Sequence, residues 1–221
     1  MNLSKLKATR DGFGKVILEL GQENEQIVVL CADLRESLRL AQFAKNFPSR
    51  YVECGVAEQN MMGIGAGLAL AGKIPFIASF AVFNPGRNLD QLRAAVYSGL
   101  NMKIVGGHAG LSTGEDGATH QALEDLAIVC ALPNLTVVVP ADSEQSQILT
   151  KQIAIHNGPC YLRLGRKKLE AIGDFVKSPE TILGEAQILT EGTDLTIFAC
   201  GLMVQESLKA ALEVQKLGIK V

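Results

Sequence analysis

Short apolar segments alternate with helix-like segments along most of this chain of 221 residues. The apolar segments predict strands at residues 27–32, 51–53, 75–78, 103–106, 136–139 and 160–164. Helices are predicted from Glu58 onward and at residues 11–20, 89–97, 121–130 and 143–156. Apolar strands that are separated by helices form a mainly parallel sheet with helices on both faces. The predicted fold class is therefore α/β.

The alternation is interrupted by a polar stretch at residues 173–181, which contains Pro179 and predicts a linker between domains. The residues after it predict strands at 185–189 and 195–200, a helix at 204–217 and the start of another strand at 218–221. We therefore expect a first domain over residues 1–175 and a partial α/β C-terminal domain over residues 184–221. A sheet that stops at its second strand has an open edge, so the chain is expected to be truncated or one part of a split protein.

Composition narrows the class of protein. The net charge is −2, and neither basic runs nor interleaved aromatic residues suggest a nucleic-acid partner. The first residues are too poor in apolar side chains for a signal peptide, and no apolar stretch has the length of a membrane span. The five cysteines are scattered and odd in number, as is typical of reduced core residues. A soluble cytoplasmic protein without a membrane partner is expected.

One carboxylate lies at the opening of an apolar, glycine-rich helix. Glu58 precedes residues 62–71, which are almost free of polar side chains and predict a buried helix that neighbours approach closely. A carboxylate at the edge of a dry interior must find a hydrogen-bond partner or change its protonation state. The alternative is an ordinary acid in the first turn, stabilised by the helix dipole.

A second dense motif lies at residues 106–121 and holds two of the three histidines, His108 and His120. It is rich in glycine and acids, follows an apolar strand-like run and precedes a helix-like stretch. Loops that lead from a strand to a helix are where α/β proteins bind ligands. The two histidines lack the close spacing of a zinc site, so no metal site is predicted in this chain.

The Ala-Glu-Gln-Asn motif at residues 57–60 and the Gly-Glu-Asp-Gly-Ala-Thr-His motif at residues 114–120 together resemble the transketolase family of thiamine diphosphate enzymes. Further segments follow in that family's order and at compatible spacings, namely residues 8–10, 32–34 with Ser37, 79–83 and 163–166. The resemblance covers residues 9–221. It implies a pyrimidine-binding domain, followed by the start of the family's C-terminal domain.

The resemblance implies that Glu58 hydrogen-bonds the aminopyrimidine ring of thiamine diphosphate. Protonation of the ring nitrogen favours an imino tautomer whose exocyclic nitrogen can act as an internal base. Phe80 and Phe83 match the aromatic residues that pack on this ring. On the residues alone, ordinary core packing of these two side chains is the competing interpretation.

Two further positions leave alternatives open. Gly86 stands where the family commonly has another aromatic residue, and Asn84, Arg87 or a partner protein could compensate for it. Asp33 matches a family acid that lies near the cofactor across the dimer interface. It could equally cap the turn or helix that follows its strand.

The loop histidines match the family residues that flank the reacting carbons of the sugars. Histidine titrates near neutrality, so His108 and His120 can exchange protons with substrate hydroxyls. Asp116 matches the acid that hydrogen-bonds one of these hydroxyls. His156, at the end of a predicted helix, is interpreted as a partner for the helix dipole.

The resemblance assigns the phosphate of a sugar phosphate to Arg10, Ser37 and Arg166, because guanidinium groups and a hydroxyl suit a dianion. Neighbouring cations make the assignment uncertain by a residue or two, namely Arg35, Arg39, Arg163, Lys167 and Lys168.

The family's Gly-Asp-Gly motif with its downstream asparagine, which binds Mg²⁺ and diphosphate, is missing from this sequence. The chain is therefore interpreted as the C-terminal subunit of a split transketolase. A separate N-terminal subunit is expected to hold Mg²⁺ and the diphosphate of the cofactor. The pyrimidine domain is expected to self-associate, so that the complete assembly is a heterotetramer acting on sugar phosphates.

Two other functions stay open at this point. A 1-deoxy-xylulose-5-phosphate synthase shares both signature motifs, but that family favours Tyr-Pro-Arg-Gly where Leu-Gly-Arg-Lys stands at residues 164–167. A non-catalytic pyrimidine-domain binding module is the other alternative. The joint presence of Glu58, His108, Asp116 and His120 argues against it.

Overall fold

A parallel six-stranded sheet forms the centre of the computed structural model, which describes residues 6–173 and 181–221. The strand order is β2-β1-β3-β4-β6-β5, and every neighbouring pair is parallel. The strands are β1 (Ile27–Cys31), β2 (Tyr51–Glu53), β3 (Ile74–Phe80), β4 (Lys103–Gly107), β5 (Thr136–Val138) and β6 (Cys160–Arg163). The strands predicted for the first domain are therefore confirmed, and so is the α/β fold class.

Helices cover both faces of the sheet. The helices on the sheet are α1 (Thr9–Glu23), α2 (Ala41–Asn46), α3 (Glu58–Leu70), α4 (Leu89–Tyr97), α5 (Asp125–Cys130) and α6 (Ser143–Ile155), whereas α7 (Met203–Gln215) packs in a separate apolar cluster with Ala141 and Ile172. Side chains of α1, α2 and α6 form one buried apolar cluster with the sheet. Side chains of α3, α4 and α5 form a second cluster with it. Buried strands between two apolar layers are typical of parallel sheets.

Two helix predictions need correction. Helix α5 begins at Asp125 rather than at residue 121, because Ala122 forms a bridge with Ala109 and short 3₁₀ turns precede it. Helix α3 is buried on one face only. Its glycines at 63 and 67 are exposed, and a side chain at either would meet no atom within 4 Å in the chain.

The strands predicted at 185–189 and 195–200 are wrong, and so is the one beginning at 218–221. None of these three segments forms a strand in the described chain. The helix predicted at 204–217 is confirmed as α7. A strand needs a ladder of hydrogen bonds to a neighbour. Here the backbone N–H groups of Asp194 and Leu195 both donate to the single carbonyl of Lys220. The predicted linker lies largely outside the described residues.

The carboxyl end of α6 meets a different cation from the predicted one. His156 follows the last residue of α6, but it is the Lys103 ammonium that donates to the carbonyls of His156 and Gly158, each at 2.7 Å. Lys103 is fully buried, and this burial lowers its pKa to about 8.

All five cysteines are free, but their burial was only partly predicted. Cys31 and Cys160 lie in the core, Cys54 is half-buried, and Cys130 and Cys200 are exposed. Among residues 6–173 and 181–221, no helix is both long and apolar enough to cross a membrane.

Candidate active site

The carboxyl ends of β1, β3 and β4 lie side by side at one edge of the sheet. The last residue of β3 pairs in register with the last residue of β4, and β1 pairs along the other side of β3. The loops after these strands carry Asp33, Phe83 and His108. This edge is where open α/β sheets bind ligands.

Glu58 is the first residue of α3, and its side chain is only 2% exposed. Its Oε1 accepts a hydrogen bond from Ser79 Oγ at 3.2 Å, and its Oε2 accepts one from Arg87 Nη1 at 3.1 Å. The backbone carbonyl of Glu58 accepts from Asn88 Nδ2 at 3.3 Å. Both carboxylate oxygens are therefore held in place, which supplies the partners that a buried acid requires.

Buried amides fix the turn that carries these partners. Asn84 Nδ2 donates to the carbonyls of Ile77 at 3.0 Å and Val105 at 3.1 Å, and its Oδ1 accepts from Asn88 Nδ2 at 3.1 Å. The turn between β3 and α4 is thereby tied to two strands and to the start of α3. Sequence reasoning missed this function of the asparagines, because their partners are backbone carbonyls distant in sequence.

The missing aromatic residue at Gly86 has a steric explanation. A Cβ atom at Gly86 would lie 2.0 Å from the carbonyl oxygen of Val82, so the turn has no room for a side chain there. The backbone N–H of the next residue, Arg87, donates to the carbonyl of Phe83 at 2.8 Å. The guanidinium carbon of Arg87 then lies 4.0 Å from the centre of the Phe83 ring. Arg87 thus covers this ring.

The aromatic side chains form a stack that leads to the loop histidines. The rings of Phe80 and Phe83 are nearly parallel, at 12° and with centroids 6.2 Å apart. The His108 ring stacks on the Phe80 ring with a centroid distance of 3.9 Å. His120 points its edge at both phenylalanines, 5.4 Å from Phe83 and 6.2 Å from Phe80. Four predicted site residues therefore form one group of rings in contact.

His108 is held as a neutral ring. Its Nε2 lies 2.8 Å from Arg10 Nη1, and a guanidinium can only donate, so Nε2 is the acceptor and the proton is on Nδ1. Burial, together with the nearby cations of Arg10, Arg166 and Arg39, lowers the pKa of His108 to about 3. The backbone of His108 has φ of +54°, a strained conformation for a residue with a side chain. Its carbonyl accepts a hydrogen bond from Thr113 Oγ1.

Arg10 joins the first helix to this site. Besides contacting His108, Arg10 Nη1 donates to the carbonyl of Ser37 at 3.0 Å, so Arg10 and Ser37 are in contact. Phosphate binding by the Ser37 hydroxyl stays a prediction. Burial, followed by the charge of Arg39, lowers the pKa of Arg10. Within the described part of the chain, Arg10 Nε and His108 Nδ1 are buried without a partner. Unpaired buried donors of this kind are suited to an acceptor on a ligand.

Arg166 anchors the second motif. It donates to the carbonyl of Thr113 at 2.7 Å, forms an ion pair with Glu115 and lies 3.5 Å from Asp116 Oδ2. A hydrogen bond from the backbone of Glu115 itself, followed by the hydrogen bond from Arg166, lowers the pKa of the Glu115 carboxyl group. The predicted phosphate residue and the predicted hydroxyl-binding acid are thus in contact.

Two predicted residues are connected more loosely. His120 Nδ1 lies 2.9 Å from Thr119 Oγ1, and its other ring nitrogen has no described hydrogen bond. Asp33 is exposed after β1, has φ of +58° and donates its backbone N–H to Glu53 Oε1 at 2.8 Å. No described contact joins its carboxylate to the other site residues.

Comparison with known proteins identifies the family. Residues 5–171 match the family model of the transketolase pyrimidine binding domain, and residues 184–221 match that of the transketolase C-terminal domain. The chain belongs to the transketolase family. A putative transketolase C-terminal section from Methanocaldococcus jannaschii is 45% identical over 96% of this chain and 68% of the relative. A 6-deoxy-6-sulfo-D-fructose transketolase subunit from Clostridium sp. is 42% identical over 95% of this chain and 65% of the relative.

Solved transketolases share this fold. A split gene transketolase, described as an inactive beta4 tetramer, superposes with a TM-score of 0.85 at 45% identity and covers 96% of this chain. The Campylobacter jejuni transketolase gives a TM-score of 0.88 at 28% identity. This transketolase-family chain spans 69% of the first structure's chain and 34% of the second.

Proposed function

We propose that this chain is the C-terminal subunit of a split transketolase. With a separate N-terminal subunit, it catalyses thiamine diphosphate-dependent transfer of a two-carbon ketol unit between sugar phosphates in the cytoplasm. In this proposal, residues 1–175 form the pyrimidine-binding domain, and residues 184–221 belong to the C-terminal domain. The observation that supports it best is a buried acid beside an aromatic wall that ends at two loop histidines.

The described residues fit the pyrimidine half of thiamine diphosphate. Glu58 offers an oriented carboxylate at the start of a helix, and Phe80 and Phe83 offer flat apolar surfaces beside it. When bound, the cofactor supplies an electron sink for cleavage of a carbon–carbon bond. The function of Glu58 would be to hold a proton at the ring nitrogen of the pyrimidine, and the buried wall would exclude water.

The other side of the pocket fits a phosphorylated sugar. Arg10 and Arg166 bring guanidinium groups that suit a phosphate dianion. Neutral His108 would donate from Nδ1 to a substrate oxygen, and His120 would exchange a proton with a second hydroxyl. Asp116 would accept a hydrogen bond from the sugar, and Asp33 would complete the cofactor site in the assembly.

The proposal places Mg²⁺ and the diphosphate on the separate subunit. Among the described side chains, no group of three or more His, Cys, Asp or Glu residues is arranged to hold a metal ion. The half-exposed face of α3 is proposed as the surface for self-association, because it presents apolar residues such as Leu70, which is 75% exposed. Two copies and two partner subunits would form a heterotetramer.

The decisive experiment is ketol transfer from xylulose 5-phosphate to ribose 5-phosphate, with thiamine diphosphate and Mg²⁺. The chain is assayed alone and mixed with the candidate N-terminal subunit, and activity only in the mixture is the expected result. Donors named for the relatives, 6-deoxy-6-sulfo-D-fructose and apulose 4-phosphate, extend the panel.

The other outcomes separate the alternatives. Consumption of pyruvate with glyceraldehyde 3-phosphate, without ketol transfer, would identify a 1-deoxy-xylulose-5-phosphate synthase. Inactivity with every donor would contradict the proposal and favour a non-catalytic pyrimidine-domain module.

A further inference from the structure

Arg87 makes two contacts at once, and both are with residues of the pyrimidine pocket. Its guanidinium group donates to Glu58 Oε2 at 3.1 Å. The same group lies 4.0 Å from the centre of the Phe83 ring. Glu58 is almost fully buried, whereas 48% of the Arg87 side chain is exposed. The buried acid is therefore covered by a side chain that has a free path into solvent.

The guanidinium group shares its recognition features with a protonated aminopyrimidine. Both are planar cations, both present N–H donors to a carboxylate, and both stack on an aromatic face. The proposed function requires an aminopyrimidine to use the Glu58 carboxylate and the phenylalanine wall. Arg87 already uses the carboxylate and one face of that wall.

We propose that Arg87 is an internal substitute for the aminopyrimidine, which occupies Glu58 and Phe83 in the cofactor-free chain and leaves them when the cofactor binds. This inference rests on the proposed function and adds a positioning residue to it. Without the cofactor, Arg87 neutralises a buried carboxylate that would otherwise be costly to leave unpaired.

Occupation of the aminopyrimidine site by Arg87 has a measurable consequence for the affinity of the cofactor. A ligand that binds only the fraction of molecules with an open site shows an affinity reduced by that fraction. If Arg87 occupies the site in about nine molecules of ten, apparent affinity is lowered about tenfold. Removing the guanidinium group should therefore strengthen binding, although it removes a contact from the pocket.

The test measures binding of thiamine, which carries the aminopyrimidine without the diphosphate, to the 221-residue chain by calorimetric titration. Arg87→Ala is expected to bind thiamine about tenfold more tightly than wild type. Arg87→Lys keeps the charge but not the planar group, so an intermediate affinity is expected. Arg93→Ala is the matched control, because Arg93 also covers an aromatic ring, that of Tyr97 at 4.9 Å, without contacting Glu58.

A second measurement distinguishes replacement of the aminopyrimidine by Arg87 from a general loosening of the site. Ethylguanidinium should raise the melting temperature of Arg87→Ala, because it can restore the planar cation at Glu58, and should leave Arg93→Ala unchanged. Equal or weaker thiamine binding by Arg87→Ala, including no binding by any variant, would overturn the inference. So would a rise in melting temperature that both alanine variants share.

Failure of this inference can be distinguished from failure of the proposed function. If the wild-type mixture is active but Arg87→Ala gains no affinity for thiamine, only the inference about Arg87 is refuted. An inactive mixture together with the tenfold gain would refute ketol transfer while supporting the pocket and its internal substitute.

Discussion

At the scale of single residues, neighbouring groups fix the hydrogen bonds of Glu58 and the charge of the His108 ring. Glu58 is buried, but it accepts hydrogen bonds from Ser79 and Arg87. His108 is buried among cations, and its environment keeps the ring neutral. The same pocket therefore contains an oriented acid and an uncharged imidazole, which is a suitable pair for handling protons on different ligands.

Glu58→Gln tests the acid without changing its shape. The amide can still accept from Ser79 but cannot exchange a proton with a pyrimidine nitrogen, so turnover of the reconstituted enzyme should fall about 10²- to 10⁴-fold. The measurement is kcat at saturating thiamine diphosphate. Glu19→Gln, which changes a surface ion pair with Lys151, should retain wild-type turnover. Near-normal turnover of Glu58→Gln would remove Glu58 from its proposed catalytic function.

His108 should make stability depend on pH. Its pKa is about 3 in the folded chain, against 6.5 for an unperturbed histidine, so the unfolded state binds more protons between these values. The contribution is complete above pH 6.5 and is lost as the pH falls toward 3. The group adds a slope of up to about 1.4 kcal/mol per pH unit to the free energy of unfolding.

Urea unfolding of wild type and His108→Asn between pH 4 and pH 8 measures this slope. The variant should show a shallower dependence on pH than wild type, because asparagine does not titrate. Parallel curves for the two proteins would contradict the buried, neutral histidine.

Sequence motifs could predict that His108 and His120 lie close together, and the structure places both rings beside Phe80. Their functions, and that of Glu58, stay predictions. The function of Arg87 was left open among several alternatives, since its contact with Glu58 joins residues far apart in sequence. The hydrogen bond from Arg10 to the Ser37 carbonyl was not predicted either, because the two residues are 27 positions apart in sequence. Sequence patterns indicate which residue types are present, but not which atom of a residue faces the site.

At the scale of elements, close contacts between helix backbones set the positions of the site residues. Helix α1 carries Arg10 and packs against α6 through Gly12. A Cβ atom at Gly12 would lie 2.2 Å from the carbonyl oxygen of Ser143, a backbone atom that cannot rotate away. The glycine therefore permits the helix approach that positions Arg10.

Gly12→Ala should consequently destabilise the chain, although alanine favours a helix. Overpacking costs about 1–3 kcal/mol, against a gain in helix propensity of about 1 kcal/mol. A net loss in the free energy of unfolding is expected from chemical denaturation. Gly63→Ala on α3 is the control and should be neutral or stabilising, because its Cβ meets nothing within 4 Å. A stabilised Gly12→Ala variant would show that the helices can separate at no cost.

Secondary structure was predicted correctly where the hydrogen-bond partners of a segment lie within the described chain. Each first-domain strand pairs with at least one neighbour and was found close to its predicted bounds. The predicted strands at 185–189 and 195–200 also contain apolar residues, but no ladder forms beside them. Apolar composition therefore predicts where a strand can form, and its neighbours decide whether it does.

At the scale of the whole molecule, one face of α3 packs into the core and the opposite face is exposed. One face carries Met61 and Met62 into the core, while the other exposes Gly67 and Leu70. An apolar helix face without a cover in the chain is typical of a surface that associates with protein. The prediction of a fully buried helix is therefore wrong for the described chain, and burial of this face would need the proposed partner surface.

Gly67→Glu tests this surface. Its Cβ would meet no atom within 4 Å, so the folded chain should accept the side chain. A charge in an apolar interface is costly without a partner, so the concentration at which the assembly dissociates should rise at least tenfold. Sedimentation velocity over a dilution series measures it, and Ala94→Glu on the exposed face of α4 is the matched control. Unchanged dissociation of Gly67→Glu would exclude α3 from the interface.

Helix α3 has 13 residues and therefore extends about 20 Å from Glu58 to the exposed Leu70. If Glu58 is the catalytic acid and the exposed face of α3 is the association surface, as proposed, a rigid helix transmits a shift of that surface to the acid. Specific activity should then decline on dilution while the circular dichroism of the chain remains that of a folded protein. Protein concentration would in this way act as a control on turnover.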